Sequence, residues 1–339
     1  MKLIKTEDAV GHVLCHDMTQ IIKDQYKDAR FRKGHVVTEE DIPVLLSMGK
    51  EHLYVWEMTS GMVHENDAAE RLLALCGQEN MIRSGVKEGK IELKAACDGV
   101  FLVDSARLVA VNSQDEVMIA TRKGGMAVCE GDKLAGMRVI PLIIEEEKLR
   151  KAEQAAGDKP LLSLKPYVRK TACIVATGGE VKKGLIKDTF TPVVIDKLKT
   201  YGIETLEVVY SGDGVENVRD AVLAMREKKP DMILCTGGMS VDPDDNTPGG
   251  IKAAGANIIA YGAPVLPGAM FLLGYFDDGM PVMGLPGCVM YAGATVFDLM
   301  LPKIAADVPV TRADLAALGE GGLCLGCKPC HYPICPFGK

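Results

Sequence analysis

The sequence predicts an α/β protein: a mainly parallel sheet covered by helices on both faces, preceded by a smaller β-rich region. From residue 167 onward, short apolar runs alternate with helical patterns, and such connections are typical of parallel strands. A glycine turn follows four of these runs, at 177–180, 211–214, 236–240 and 285–287. Because the carboxyl ends of parallel strands share one edge, we expect these turns to line one crevice.

Length and composition narrow the class of protein. The 339 residues suggest two or three domains, and 47% hydrophobic with 25% charged residues indicates a globular chain. A net charge of −7, without a long basic run, argues against nucleic acid as a partner. No apolar run approaches the roughly 20 residues that span a membrane. We expect a cytoplasmic protein without a membrane partner; oligomeric state stays open, a homodimer being one alternative.

The patterns divide the chain into four segments. Residues 1–60 resemble a small β-containing unit with one helix, which we expect Thr38 to cap. Residues 61–157 are predicted to form an α+β, β-rich domain with helices at 62–77 and 145–156. Among its several short strands, residues 137–144 are predicted to form one continuous strand. Residues 168–305 form the predicted α/β domain, ending in a long helix over 288–301. Residues 319–339 are a Cys-rich tail, which the glycines at its start predict to be flexible.

The stretch 231–250 combines a buried strand, a glycine turn and an acidic loop. Asp242, Asp244 and Asp245 follow the turn, and Thr247 before Pro248 predicts a capped helix start. Such a turn predicts an anion site, but carboxylates repel a phosphate unless a divalent cation lies between them. We therefore predict a site for a phosphorylated ligand with Mg²⁺; the alternative is a solvated acidic loop.

Polar side chains follow the other turns as well. Hydroxyl groups there can bond phosphate oxygens or ligand heteroatoms, and acids can accept hydrogen bonds or bind Mg²⁺. The hydroxyls belong to Thr177, Ser211, Thr236, Ser240 and Thr247, and the acids are Glu180, Asp213, Asp244 and Asp245. No pair of nucleophile and base is evident in this half of the chain. Any reaction would therefore depend on a metal and on positioning.

As a set, these motifs resemble the molybdopterin-binding domain. They are TGGE at 177–180, TGGMSVDPDD at 236–245, VLPG at 265–268 and GLPG at 284–287. The fold is shared by molybdopterin molybdenumtransferase, the molybdopterin adenylyltransferases and the competence-damage-inducible family. The resemblance implies a three-layer αβα domain that holds molybdopterin or its adenylate. For the transferase it implies Mg²⁺-dependent insertion of molybdate with release of AMP, and residues 31–55 also resemble a segment preceding that domain.

The resemblance also implies roles for individual residues. Glu180 and Asp245 match catalytic positions, and Asp244 with Asp245 would bind Mg²⁺. Predicted substrate-binding residues lie in or near the turns: Thr177, Gly178, Gly179, Asp188, Ser211, Asp213, Thr236, Gly237, Gly238, Ser240, Thr247, Pro267, Gly268, Pro286 and Gly287.

Departures from the transferase pattern keep other functions open. Its D-x-S-x-M-D-G motif is absent, P-G-K-P is here P-G-A-M at 267–270, and G-L-P-G-N-P is here G-L-P-G-C-V at 284–289. One alternative is a non-catalytic protein that delivers the pterin cofactor to a molybdoenzyme. Another is a metal-dependent pyrophosphatase, because TGGMSVDPDDNT also resembles the acidic loop of the competence-damage-inducible family.

The tail carries a separate signal. Cys324, Cys327, Cys330 and Cys335 have the spacing C-x2-C-x2-C-x4-C. The first three match an iron–sulfur run, and the last gap is one residue longer. We expect an iron–sulfur cluster or Zn²⁺ here. The alternatives are a disordered thiol tail, or sulfur and metal handling through partners.

Overall fold

The computed structural model describes residues 2–22, 26–55, 61–240, 242 and 245–339. The chain forms two compact units. The first comprises Met1–Ala96, Val103–Arg122 and Gly131–Ser163, and the second comprises Cys97–Leu102, Lys123–Glu130 and Leu164–Lys339. Two short pieces of the segment 61–157 therefore cluster with the α/β part of the chain.

The described residues of the first unit form short strands and four α-helices. Its elements are β1 (Lys2–Lys5), β2 (Met18–Ile22), β3 (Tyr26–Phe31), α1 (Asp41–Ser47), β4 (His52–Val55), β5 (Met62–His64), α2 (Glu65–Cys76), β6 (Met81–Arg83), β7 (Ile91–Ala95), α3 (Ser105–Asn112), β9 (Val117–Thr121), β11 (Lys133–Val139), β12 (Ile143–Glu145) and α4 (Glu146–Ala156). The largest sheet has the order β6-β7-β11-β9, and β1-β4, β2-β3 and β5-β12 form pairs. A β-rich N-terminal region is thus present, as the sequence predicts.

The structure of this unit differs from the sequence prediction at the start of α1, at α3 and over residues 137–144. Thr38 does not cap α1; its backbone N–H and its hydroxyl both donate to the Asp41 carboxylate, each at 2.9 Å. The helix α3 is not predicted by the sequence analysis. Asp104 starts it by accepting a hydrogen bond from the Arg107 N–H at 3.1 Å. The predicted strand 137–144 is split between β11 and β12.

The second unit contains two sheets. Strands β8 (Gly99–Val103), β10 (Met126–Val128) and β13 (Leu162–Pro166) form one, in the order β10-β8-β13. The other elements are β14 (Thr171–Thr177), α5 (Gly179–Lys182), α6 (Phe190–Thr200), β15 (Glu204–Ser211), α7 (Val215–Arg226), β16 (Met232–Thr236), α8 (Thr247–Ala253), β17 (Asn257–Tyr261), β18 (Leu272–Tyr275), β19 (Pro281–Leu285), α9 (Val296–Ala305) and α10 (Arg312–Ala316).

The main sheet has six strands in the order β15-β14-β16-β19-β18-β17. The first four are parallel, and β18 is antiparallel to both of its neighbours. Alternate residues of the central strands enter two separate cores: Ile174 and Leu234 pack with residues of α6 and α9, whereas Val175 and Cys235 pack with residues of α7 and α8. This alternation confirms the predicted three-layer αβα arrangement around a mainly parallel sheet.

The prediction of one long helix over 288–301 is wrong. A short 3₁₀ turn occupies Gly287–Met290, and α9 begins only after Thr295. The reason is a capping box: the Phe297 N–H donates to the Thr295 hydroxyl, while the Asp298 carboxylate accepts from the Thr295 N–H at 2.7 Å. Apolar composition alone did not reveal this start.

The tail is not the flexible segment that its glycines predict. The ring of Phe337 is 2% exposed and belongs to the core formed with α6 and α9. The Tyr332 hydroxyl donates to the Asp298 carbonyl at 3.0 Å. Apolar burial and hydrogen bonds outweigh the local freedom of glycine, so this segment is seated on the second unit.

Candidate functional site

Four glycine turns lie along one edge of the main sheet, as the sequence predicts. They follow β15, β14, β16 and β19, which are parallel neighbours in that order. From β14 the chain crosses to β15 on one side, and it then returns to β16 on the other side. The ends of β14 and β16 therefore flank a topological switch point, where open α/β sheets form their ligand crevice.

Three threonines join the turns after β14 and β16. The Thr177 hydroxyl donates to the Thr236 carbonyl at 2.9 Å, and the Thr247 hydroxyl donates to the Gly237 carbonyl at 2.9 Å. The two hydroxyl oxygens are 3.1 Å apart. Thr247 is buried and does not cap α8 as predicted; its hydroxyl binds the glycine turn instead. Each hydroxyl can therefore donate to its carbonyl or to the other hydroxyl, and both oxygens can also accept a hydrogen bond.

The turn after β16 requires glycine at two positions, because other atoms lie very close to its backbone. Gly237 and Gly238 have φ of +82° and +57°, which side-chain-bearing residues rarely adopt. A Cβ at Gly237 would lie 2.4 Å from the Thr177 carbonyl oxygen, and one at Gly238 would lie 2.6 Å from the Thr247 hydroxyl. The glycine backbone of this turn therefore packs directly against Thr177 and Thr247.

The turn after β15 is tied to the turn after β14. The Gly179 N–H donates to the Asp213 carboxylate, at 3.1 Å to the nearer oxygen. The adjacent Gly178 has a φ of +135°, which begins the short helix α5. Ser211 is buried at the end of β15, and its hydroxyl donates to the Gly212 carbonyl at 3.0 Å. Asp213 remains largely exposed and faces the same edge.

The acidic loop folds back on itself beside these turns. The Ser240 N–H donates to Asp245 Oδ2 at 2.9 Å, and Asp242 is exposed. Asp244, the other predicted magnesium ligand, lies outside the described residues. In the described part of the chain, no three His, Cys, Asp or Glu side chains converge closely enough to hold a metal ion.

Tyr261 is a site residue that the sequence analysis missed. It ends β17, and its hydroxyl donates to the Met239 carbonyl at 2.9 Å, which holds the acidic loop against the sheet. Burial and the nearby charge of Asp245 raise the pKa of this phenol, so it stays a hydrogen-bond donor. The available signal was its position at a strand end, since β17 runs parallel to β19 and ends at the same edge.

Two predicted residues lie at the starts of α5 and α6. Glu180 is exposed in the first turn of α5. Asp188 accepts hydrogen bonds from the N–H groups of Phe190 and Thr191, at 2.9 and 3.0 Å, and so starts α6. Burial alone would raise the pKa of Asp188, but these bonds and one from Tyr210 outweigh it and lower the pKa.

The two Pro-Gly pairs have different environments. Pro267 and Gly268 pack on the start of α9, where a Cβ on Gly268 would lie 2.6 Å from the Val296 side chain. Pro286 is buried and Gly287 is exposed directly after β19. Gly287 has open space around it, so it is the better placed of the two glycines to admit a ligand.

Comparison with known proteins agrees with this geometry. Residues 173–306 match a family described as a probable molybdopterin binding domain. The second unit therefore contains a domain of the molybdopterin-binding family. The resemblance stated from the motifs is confirmed for that stretch. Residues 3–57 match a domain of unknown function, DUF8806. No helix among the described residues is long and apolar enough to cross a membrane.

Individual relatives match only parts of the chain. A CinA-like protein of Mycobacterium tuberculosis is 33% identical over 76 residues, which are 22% of this chain and 18% of the relative. The chain thus spans less than a fifth of that relative. Among solved structures, CinA of unknown function from Thermoplasma acidophilum is 18% identical, covering 40% of this chain and 98% of its own, with a TM-score of 0.34. The molybdopterin biosynthesis enzyme MoaB of Thermus thermophilus is 15% identical, covering 42% and 98%, with a TM-score of 0.36.

Proposed function

We propose that the second unit binds molybdopterin or its adenylate in the crevice between the ends of β14 and β16, and acts in molybdenum-cofactor biosynthesis. The observation that carries the proposal is the threonine and glycine arrangement at the topological switch point, within a domain of the molybdopterin-binding family. We also propose a cytoplasmic location, since buried cysteines such as Cys173 and Cys235 are free thiols.

The geometry suggests a division of labour within the crevice. The hydroxyls of Thr177 and Thr247 have carbonyl partners within the turns, so a phosphate would take its hydrogen bonds from backbone N–H groups of the glycine turns. The pterin ring carries N–H donors, and the exposed Asp213 carboxylate is an acceptor for them.

The donor set fits Mg²⁺, which proteins often hold with one or two carboxylates plus water and substrate phosphate. Asp245 would supply one carboxylate, because Ser240 engages its Oδ2 and leaves Oδ1 to face a cation. Asp242 is exposed on the same loop and Asp244 is the other candidate. When bound, the ion would neutralise charge between phosphate and loop.

The reaction that we propose is insertion of molybdate into the bound pterin with release of AMP. Glu180 and Asp245 would position the reactants, since no nucleophile and base meet among the residues described at this edge. A second candidate is a carrier that delivers the cofactor to a molybdoenzyme. Ala269 favours it, because the lysine of the transferase motif is missing there.

A matched pair of variants tests the site. Gly238→Ala would place a Cβ 2.6 Å from the Thr247 hydroxyl, whereas Gly279→Ala has a similar positive φ but nothing within 4 Å. The full chain would receive molybdopterin adenylate, molybdate and Mg²⁺, with pterin binding and AMP release measured separately. We expect Gly238→Ala to lose at least tenfold in affinity and Gly279→Ala to bind as the wild type does.

The outcomes separate the candidates. Binding with AMP release supports the insertion reaction, and tight binding without turnover supports the carrier. Absence of pterin binding by the wild type overturns both. Hydrolysis of ADP-ribose without any affinity for pterin would replace them with a pyrophosphatase.

A further inference from the structure

The Cys-rich tail forms a loop whose two ends are fastened together. The Gly338 N–H donates to the Gly321 carbonyl at 2.9 Å. Near its start, the loop pairs with the body like a strand: Leu266 donates to Gly322 and Cys324 donates to Leu266, both at 2.8 Å. Closure of this kind removes much of the conformational freedom that a cysteine-rich segment would otherwise have.

The far side of the loop is anchored by aromatic side chains. Phe337 lies in the core beneath α9, and the ring of Tyr332 meets it edge-on at 6.2 Å between centroids. The anchors lie on either side of Cys335 in sequence, so that thiol is held against the body. The loop is therefore a preorganised scaffold and not a loose tail.

The thiols of this loop surround a single cavity. Cys324, Cys327, Cys330 and Cys335 all line a space of about 260 Å³. Cys324 and Cys335 are half-buried, the other two are exposed, and all four are free thiols. The other cysteines are spread over helix, strand and loop positions of both units.

Cys330 packs against a position in the second unit, Gly293, that has no side chain. A Cβ at Gly293 would lie 2.8 Å from Cys330 Cβ and 2.9 Å from its sulfur. Cys330 therefore rests directly on the backbone before α9. Gly293 thus lies against a cysteine that lines the cavity, although it is distant from the tail in sequence.

The arrangement distinguishes between two kinds of thiolate centre. A structural Zn²⁺ needs four sulfurs about 2.3 Å from one point. Within the described residues no three potential ligands converge in that way, so the cysteines form the wall of a cavity. In an iron–sulfur cluster each thiolate binds a different iron, and sulfurs distributed around a space suit that geometry.

We propose that Cys324, Cys327, Cys330 and Cys335 hold an iron–sulfur cluster of the [4Fe–4S] type on the face of the second unit. Each thiol would pass its proton to a departing thiolate ligand of a preformed cluster and bind one iron in that ligand's place, so the oxidation states of iron and sulfide do not change. The exposed side chains of Leu325 and Ile334 line the same cavity and would lower the polarity around the cluster. This inference does not depend on the proposed pterin site.

The test is metal and sulfide analysis of the full chain, purified without oxygen and then loaded from a preformed [4Fe–4S] cluster that carries small thiolate ligands. We expect about four irons and four acid-labile sulfides per chain, with visible charge-transfer absorption. Cys327→Ser should lose most of the iron and sulfide. Cys129→Ser, also exposed but outside the tail, should retain both.

A second pair of variants leaves every cysteine in place. Gly293→Ala should reduce loading because its Cβ displaces Cys330, whereas Gly85→Ala, with nothing within 4 Å, should load normally. Stoichiometric zinc without sulfide would overturn the proposal. So would a chain that binds no iron while its four tail thiols react freely with a thiol reagent.

Discussion

Removing the Phe337 ring tests whether the tail is truly part of the second unit. The ring is 2% exposed within the core formed with α6 and α9. Substituting a fully buried Phe by Ala costs about 3–5 kcal/mol in folded proteins. A loss of about 3 kcal/mol shifts the docking equilibrium of the tail roughly 150-fold toward the undocked form. Because the tail can detach while the sheet stays folded, the change should appear locally before it appears in global unfolding.

Hydrogen exchange of the metal-free chain reads this equilibrium directly. The N–H groups of Cys324 and Leu266 form hydrogen bonds between the tail and the body, so both are bonded only while the tail is docked. We expect their exchange to accelerate by two orders of magnitude in Phe337→Ala, with strand β14 unchanged. Ile334→Ala is the matched control, since Ile334 lies in the same tail but is 86% exposed. Equal, fast exchange of the Cys324 and Leu266 amides in wild type and variant would refute the docked arrangement.

Three further predictions concern the second unit. Burial would raise the pKa of the Asp231 carboxyl, but hydrogen bonds from the Lys170 N–H and from the N–H and hydroxyl of Thr171 outweigh it and lower the pKa. The stabilisation by this carboxylate is therefore fully present above a pH of about 4 and is lost as pH falls through the folded pKa. Urea unfolding at several pH values should show that Asp231→Asn has a lower free energy of unfolding than wild type, and that this difference disappears only in acid. A difference that does not depend on pH would contradict this. Gly250→Ala should lower the melting temperature by several degrees, because its Cβ would lie 2.4 Å from the Val218 side chain; an unchanged melting temperature would count against this packing. Burial raises the pKa of Cys235 to about 12, so iodoacetamide should modify it only on unfolding, as mass spectrometry of native and urea-treated protein would show.

Much of the α/β architecture can be predicted from short stretches of the sequence. The apolar runs ending at Thr177 and Thr236 predicted buried strands, and the glycine turns predicted a shared edge. Both are present because a fully buried parallel strand must be apolar throughout, whichever fold contains it. Thr177, Thr236 and Thr247 were named from sequence for the same reason, since each lies next to a strand end or a glycine turn.

The errors came from competing local signals. Thr247 before a proline predicts a cap, yet its hydroxyl is used by Gly237 across the turn. The apolar run after residue 287 predicts one helix, yet the capping box at Thr295 starts it later. In both cases the sequence contained the residues, but which partner each would bind depended on the position of neighbouring chain segments.

The sequence by itself determined the class of fold, the sheet edge shared by the glycine turns and the cysteine spacing of the tail, because each follows from periodicity or from residue chemistry over a few positions. Only the tertiary structure decided that Asp213 binds the turn after β14, that Tyr261 holds the acidic loop, and that the tail is docked with its thiols around one cavity. These are contacts between residues that lie far apart in the chain. Their free energy comes from burial and from hydrogen bonds that exist only once the sheet has brought the strands together.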